Sequence, residues 1–165
     1  MASDIDAFVS QVQSCKNMIH KVLYMYADSP EDKQDLRQEI LSQAWSAYPR
    51  FNATSKFSTW FYKISINVAL SRLKKEKKYV QDVQTSPIEY SFSIDKELLD
   101  LVISFLNELE KSIVLLMIEG YERNEIASVL GVSENNLRVK IHRLRKKLEE
   151  KNIYEFIEQR FEHVG

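Results

Sequence analysis

Turns are scarce in this sequence, and that scarcity limits the fold more than any other feature. Three Gly and three Pro are spread over 165 residues. A sheet-rich chain reverses direction often and needs such residues at its reversals, so the long uninterrupted stretches read as helices and the expected class is all-α. Hydrophobic residues make up 44% of the chain, enough to give those helices a packed core. The length accommodates one domain or two small ones. No apolar run reaches the roughly 18 residues that a membrane-spanning helix needs. The opening MASDIDAFVSQ is acidic and lacks the charged-then-apolar pattern of a signal peptide. A single cysteine, Cys15, has no internal disulfide partner. Together these features point to a cytosolic protein.

A net charge of −1 conceals strong segregation. Residues 56–80 carry seven Lys/Arg against one Glu, whereas residues 81–133 carry three bases against ten acids. Residues 134–151 return to seven bases against three acids. Two basic stretches separated by an acidic one fit two contacts with a polyanion; the alternative is a pair of merely solvated helix faces.

Periodicity places the helices. Ile5, Phe8, Val9, Val12, Ile19, Val22, Leu23 and Tyr26 recur at threes and fours and predict one helix over 5–27. Asp28-Ser29-Pro30 ends it, and Ser29 is placed to cap a second helix with Pro30 at its first position. That helix runs to about Tyr48, with Leu36, Ile40, Leu41, Ala44, Ala47 and Tyr48 on its apolar side. Glu31, Asp32, Asp35 and Glu39 crowd its opening turns, where the positive end of the helix dipole favours carboxylates. Pro49 stops it, and Arg50–Ser55 is a loop. A third helix is expected from Ser58 to about Lys78, with Trp60, Phe61, Ile64, Val68 and Leu73 buried and Lys63, Asn67, Ser71, Arg72, Lys74 and Lys75 outside. The stretch VQDVQTSPIEYSFSID, residues 80–95, shows no period and reads as a linker between two domains. Beyond it a helix is expected from Lys96 to Phe105. Asn107 with Glu110 three residues on predicts a capped helix ending at Gly120. Arg123–Leu130 then forms a short helix, Gly131-Val132-Ser133 a turn, and Glu134 to about Glu150 a long helix.

Those last elements form a helix-turn-helix. Leu137, Ile141, Leu144 and Leu148 recur at four, three and four residues, so they face the shorter helix, with Ile126, Ala127 and Leu130 opposite. This turns Asn135, Asn136, Arg138, Val139, His142, Arg143 and Lys146 outward. Asn suits adenine edges and Arg suits guanine in the major groove, while Lys and Arg neutralise phosphates. The outward face therefore reads as a surface for duplex DNA, against the plainer reading of a packing helix with a basic exterior. In the other basic stretch, Phe51, Phe57, Trp60, Phe61 and Tyr62 lie beside the cations. Rings in that setting stack unpaired bases, but these fall largely on the apolar stripe and read mostly as core. The short polar side chains of the Asn52–Lys56 loop leave room for an extruded base.

About residues 8–150, taken together, resemble a bacterial RNA polymerase sigma factor of the sigma-70 superfamily, extracytoplasmic-function (ECF) class. DKQDLRQEILSQAWSAYPRF followed by FSTWFYKISINVAL is similar to that family's core-binding and promoter-melting segments. LNELEKSIVLLMIEGYERNEIASVLGVSENNLRVKIHRLRKKL is similar to its −35-reading domain. The resemblance implies two small helical domains joined by a flexible linker: 1–79 for polymerase binding, −10 recognition and melting, 80–95 as the linker, and 96–165 for −35 recognition with a tail helix. By matched position, Asp35, Gln38, Glu39 and Trp45 would bind core polymerase at its clamp coiled coil. Asn52, Ala53, Thr54 and Ser55 would capture a flipped −10 base, with Lys63, Asn67, Ser71 and Arg72 beside the duplex edge. Asn135, Asn136, Arg138, Val139, His142, Arg143 and Lys146 would meet the −35 element. The acidic linker, with Asp82, Glu89 and Asp95, would mimic a nucleic-acid strand in the RNA exit path. Implied partners are core RNA polymerase (clamp coiled coil and flap), promoter DNA and an anti-sigma factor, with no small-molecule substrate and no membrane insertion. Asn107 stands where the family often has Pro, Asn135-Asn136 where it has Gly-Thr, and Ser71 where Asp is common. The first change preserves a helix start by capping; the others leave the promoter sequence open. The tail from Lys151 to Gly165 extends past the resemblance, and Ile153, Phe156, Ile157 and Phe161 suit a short packed helix.

Two other classes compete. A stand-alone helix-turn-helix regulator would bind DNA as a dimer without polymerase, and leaves residues 28–78 unexplained. An enzyme would need a catalytic or cofactor constellation. Cys15, His20, His142 and His163 are scattered without metal-ligand spacing, and no Gly-rich phosphate loop is present. No cofactor and no metal are therefore expected, and Cys15 and His20 read as packing residues.

Overall fold

Ser29 sets the first firm boundary. Its extended backbone (φ −111°, ψ 162°) lets the hydroxyl accept from the Asp32 amide at 3.0 Å, and Pro30 follows at the first helical position. The computed structural model describes residues 2–76, 100 and 103–151. They form an all-α protein in two units, divided between Tyr90 and Ser91. The expected linker 80–95, most of the 96–105 helix and the tail beyond Lys151 lie outside the described residues.

In the first unit, α1 spans Ala2–Ser14, α2 Lys16–Tyr26, α3 Pro30–Ala47 and α4 Phe57–Glu76, with a 3-10 turn over Tyr48–Arg50 between α3 and α4. Helices α2, α3 and α4 pack against one another in all three pairings. Ile19, Val22 and Leu23 meet Leu36, Ile40 and Ala44 and the α4 residues Phe61, Tyr62, Ile66 and Ala69, all buried. The predicted single helix over 5–27 is instead two. At Cys15 (φ −100°, ψ 10°) the amide donates to the Val12 carbonyl, closing a tighter turn, and α2 starts afresh with Ile19 donating to the Cys15 carbonyl. Phe8 is buried on α1, but Ile5 and Val9 are 48% and 45% exposed, not core as their spacing implied. The buried side of α4 is also rotated from the predicted one. Tyr62, Ser65, Ile66 and Ala69 are buried with Phe61 and Val68, whereas Trp60, Ile64 and Leu73 are only half-buried. Because α4 touches both α2 and α3, its buried face is wider than one stripe. The Ser65 hydroxyl is satisfied inside it by donating to the Phe61 carbonyl at 2.8 Å.

The second unit holds α5 (Glu108–Ile118), α6 (Arg123–Leu130) and α7 (Glu134–Glu150), preceded by helical residues at 103–105. Asn107 and Glu110 form the expected reciprocal cap, each side chain accepting from the other's amide at 2.9 Å. Helix α5 ends at Gly120 (φ 79°), with Tyr121 N–H reaching back to the Leu116 carbonyl and Gly120 N–H to that of Met117. Helix α6 ends at Gly131 (φ 65°) with Val132 N–H on the Ala127 carbonyl. Both glycines take the left-handed conformation that closes a helix by six-to-one hydrogen bonding and that costs other L-residues about 1–2 kcal/mol. Leu137, Ile141, Leu144 and Leu148 are buried, as their spacing requires, with Ile113, Leu116, Met117, Ile126 and Ala127. Val129 is buried where Leu130 was expected; Leu130 is half-buried. Leu144→Ala should remove about 2–5 kcal/mol from this unit, read as a matching loss of amide-exchange protection across α6 and α7.

Candidate nucleic-acid interface

Helix α7 is aimed by its own start. Gly131 reverses the chain, and the Ser133 hydroxyl accepts from the Asn136 amide at 3.2 Å, fixing where the first turn begins. With the leucine stripe buried, Asn135, Asn136, Arg138, Val139, His142, Arg143 and Lys146 are all exposed, as expected for the outward face. Two carboxamides lead, within a turn of the helix start, and the cations follow. This order suits a helix entering a groove by its N-terminal end, with base-edge donors and acceptors first and phosphate partners behind. Lys147 is set apart from this group. It reaches sideways to Glu110 at 2.8 Å, tying α7 to the start of α5.

The second candidate surface lies in the first unit. Asn52, Ala53, Thr54 and Ser55 are all exposed. The Asn52 side-chain carbonyl accepts from the Thr54 hydroxyl at 2.9 Å and from its amide at 3.3 Å. Between them Ala53 adopts φ 55°, a left-handed conformation uncommon for a residue with a Cβ. The loop is thus shaped by its own side chains. Its flanks are anchored by rings: Phe51 lies 5.0 Å from Trp60, and Phe57 lies 5.3 Å from Trp60 and 5.5 Å from Phe61. Phe61 and Tyr62 are fully buried and Phe51, Phe57 and Trp60 half-buried, so most of the aromatic set packs the core, as the plainer reading held. Lys63, Asn67 and Ser71 form an exposed row on α4 at four-residue intervals. Arg72 sits beside that row, half-buried, and donates to Asp32 at 3.0 Å. That pairing of α4 with the start of α3 joins residues forty apart, and sequence periodicity gives no sign of it.

On α3, Asp35 and Gln38 are exposed and Glu39 half-exposed, forming an acidic and polar ridge. Trp45, 41% exposed, lies about two turns beyond Gln38 on the same side of the helix and meets Phe8 edge-on, with ring centroids 5.1 Å apart. It also lines a surface pocket of about 550 Å³ with Asp4, Ile5, Tyr48, Pro49 and Phe51. The pocket joins α1 to the end of α3 and the turn after it, residues that helical periodicity does not bring together.

Cys15 is buried, in keeping with the packing role expected of it. Burial pushes the Cys15 thiol up, partly offset by its contact with the Ser14 hydroxyl. His20 is half-buried with Arg37 3.2 Å from its Nε2, and burial, Arg37 and Lys16 all hold its imidazole below the usual histidine value. Among the described residues, no group of three His, Cys, Asp or Glu is arranged to hold a metal ion, and no helix is long and apolar enough to cross a membrane. Since the folded state resists protonating His20 and the unfolded chain does not, its contribution is complete above the ordinary imidazole pKa of about 6.5. It is lost as pH falls through the lower folded value. His20→Gln, which retains an acceptor for Arg37 but cannot titrate, should flatten the fall in stability that begins below pH about 6.5.

The fold defines a two-unit helical protein with a helix-turn-helix in its second unit. Residues 11–79 match the family model for sigma-70 region 2, and residues 96–148 match that for sigma-70 region 4. The chain belongs to the sigma-70 family, in its ECF class. It is 24% identical over 165 residues to the ECF RNA polymerase sigma factor SigW of Bacillus subtilis, covering 88% of each protein. Among solved structures it resembles the sigma factor RpoE from Bartonella quintana, crystallised with the anti-sigma factor NepR. That match has a TM-score of 0.70 at 19% identity and covers 87% of this chain and 95% of that one. CnrH in complex with the cytosolic domain of CnrY gives a TM-score of 0.60 at 21% identity, covering 88% of this chain and 86% of that one.

Proposed function

We propose that this chain docks on core RNA polymerase and directs initiation at promoters whose −10 and −35 elements it reads, supplying specificity and DNA melting but no covalent chemistry. The observation that carries the reading is the α7 face. Seven side chains suited to bases and phosphates are exposed together, opposite a fully buried aliphatic stripe, in a chain whose other unit matches sigma-70 region 2. In this reading residues 1–79 bind polymerase and melt the −10 element, 80–95 connect, and 96–165 read the −35 element. Asn135, Asn136, Arg138, Val139, His142, Arg143 and Lys146 meet the −35 duplex.

The Asn52–Ser55 loop receives a base from the melted −10 strand, and its self-supporting hydrogen bonds reduce the ordering needed when the base arrives. Lys63, Asn67 and Ser71 lie along the adjoining backbone. Arg72 joins them by exchanging Asp32, which is 44% exposed and within reach of solvent, for a phosphate. Asp35, Gln38 and Glu39 offer the polymerase clamp coiled coil an acidic ridge, with Trp45 as an apolar contact beyond it; the second unit engages the flap. A negative ridge suits docking to a positive partner and would also repel stray DNA. The neighbour crystallised with an anti-sigma factor supports such a partner for this chain too. In this reading the protein works where the polymerase is, in the cytoplasm.

Arg138→Ala and Arg143→Ala should each cost about 1–3 kcal/mol in recognition of a −35 element, the range of a bidentate base contact, seen as reduced transcripts from a −35-dependent promoter by reconstituted holoenzyme. Unchanged transcription by both variants would remove α7 from the DNA. Asp35→Arg should weaken binding to core polymerase while leaving the helical circular dichroism and unfolding midpoint intact; unaltered affinity would move the docking surface elsewhere.

A further inference from the structure

Val139 is out of place by composition. Helical positions turned to solvent favour long polar side chains, and a β-branched residue there gains nothing from propensity. Yet Val139 is 46% exposed on α7, and among the described residues it is the second unit's one exposed large hydrophobic side chain. Lone exposed aliphatics are common on protein surfaces, so its position, not its exposure, carries the argument. At about 100° per residue, Val139 points roughly 170° away from the mean direction of Leu137, Ile141, Leu144 and Leu148. It therefore occupies the middle of the outward face, with Asn135 and Asn136 one turn before it and His142 and Arg143 one turn after, all exposed. The side chains around it can donate or accept hydrogen bonds; this one can do neither.

A duplex major groove presents hydrogen-bonding atoms from every base pair but one kind of apolar group, the C5 methyl of thymine. An aliphatic side chain at the centre of a reading face has that methyl as its natural complement. We infer that Val139 is a specificity-determining residue of the −35 reader and that it packs against the C5 methyl of a thymine in the element. Contact with the methyl discriminates thymine from cytosine, which carries only a hydrogen at C5 and leaves Val139 without that apolar partner. The flanking carboxamides and guanidinium groups read the neighbouring base pairs. This inference rests on the proposed DNA-reading role of α7 and adds the base chemistry that its central position selects.

The test uses holoenzyme assembled from core polymerase and the full chain, on a promoter whose −35 element has been mapped by transcript start-site sequencing. Each −35 thymine is replaced in turn by deoxyuracil, which removes the methyl and nothing else. Each −35 cytosine is replaced in turn by 5-methylcytosine, which adds the same methyl from the other source. One thymine position should lose about fourfold in promoter binding, the equivalent of roughly 0.8 kcal/mol for one buried methyl-sized group. With Val139→Ala, that position should no longer distinguish thymine from deoxyuracil. Alanine is a better helix former than valine, so the variant keeps α7 intact. If no thymine is sensitive, if sensitivity survives in Val139→Ala, or if only methylated cytosine responds through Val139, the assignment to thymine is wrong. Arg143→Ala on the same template separates this from the underlying role. With Arg138→Ala measured beside it, a loss in either variant alongside methyl-insensitive Val139 overturns this inference alone, whereas no loss in both overturns the DNA-facing role of α7 and this inference with it.

Discussion

The burial of Leu137, Ile141, Leu144 and Leu148 against α5 and α6 is the constraint on which the second unit depends. A helix has no preferred rotation of its own; the side chains it hides determine which ones it shows. Here the stripe meets Ile126, Ala127 and Met117 among others, all nearly inaccessible to solvent. Helix α7 is then fixed about its axis and presents a defined set of carboxamides, guanidinium groups and one aliphatic side chain. The Gly131 turn and the Ser133 cap fix the other variable, where along the chain the helix starts. Rotation and start point together decide which residues stand at the leading end of a reading helix.

The first unit solves a different problem with the same means. Its α4 is held by both α2 and α3, so a wide apolar face is buried and a narrow row, Lys63, Asn67 and Ser71, is left outside. The aromatic group around Phe51, Phe57 and Trp60 holds both ends of the exposed 52–55 loop. That loop is given shape by Asn52 and Thr54, not by burial. A rigid frame with a small polar loop between anchored ends suits capture of one unstacked base, because little order remains to be gained on binding.

Where the signal is local, the sequence reveals the structure closely. Ser29-Pro30, Asn107 with Glu110, and Gly120 and Gly131 each mark a helix end by chemistry confined to a few neighbouring residues, and each end falls where that chemistry places it. The break at Cys15 has no such marker. Neither Gly nor Pro stands there, and a continuous apolar period runs through it, so only packing of α2 against α3 and α4 reveals it. Ile5 and Val9 continue that period on α1 yet stay exposed, since they lie on the far side of the break. The α4 face was misjudged because a helix touched on two sides is apolar over too wide an arc for a single period to define. The Arg72–Asp32 pair and the pocket beside Trp45 join residues distant in the chain, and no spacing rule reaches that far. The outward face of α7 was legible because an unbroken four-three-four stripe leaves its opposite side no alternative.

The central claim is that the two units together give an RNA polymerase its choice of start site. The most direct measurement is start-site sequencing of transcripts made by core polymerase on a genomic template library, with and without this chain. The account predicts a discrete set of new start sites in its presence, preceded by two shared sequence elements at constant spacing. An identical distribution of start sites in both reactions would contradict it.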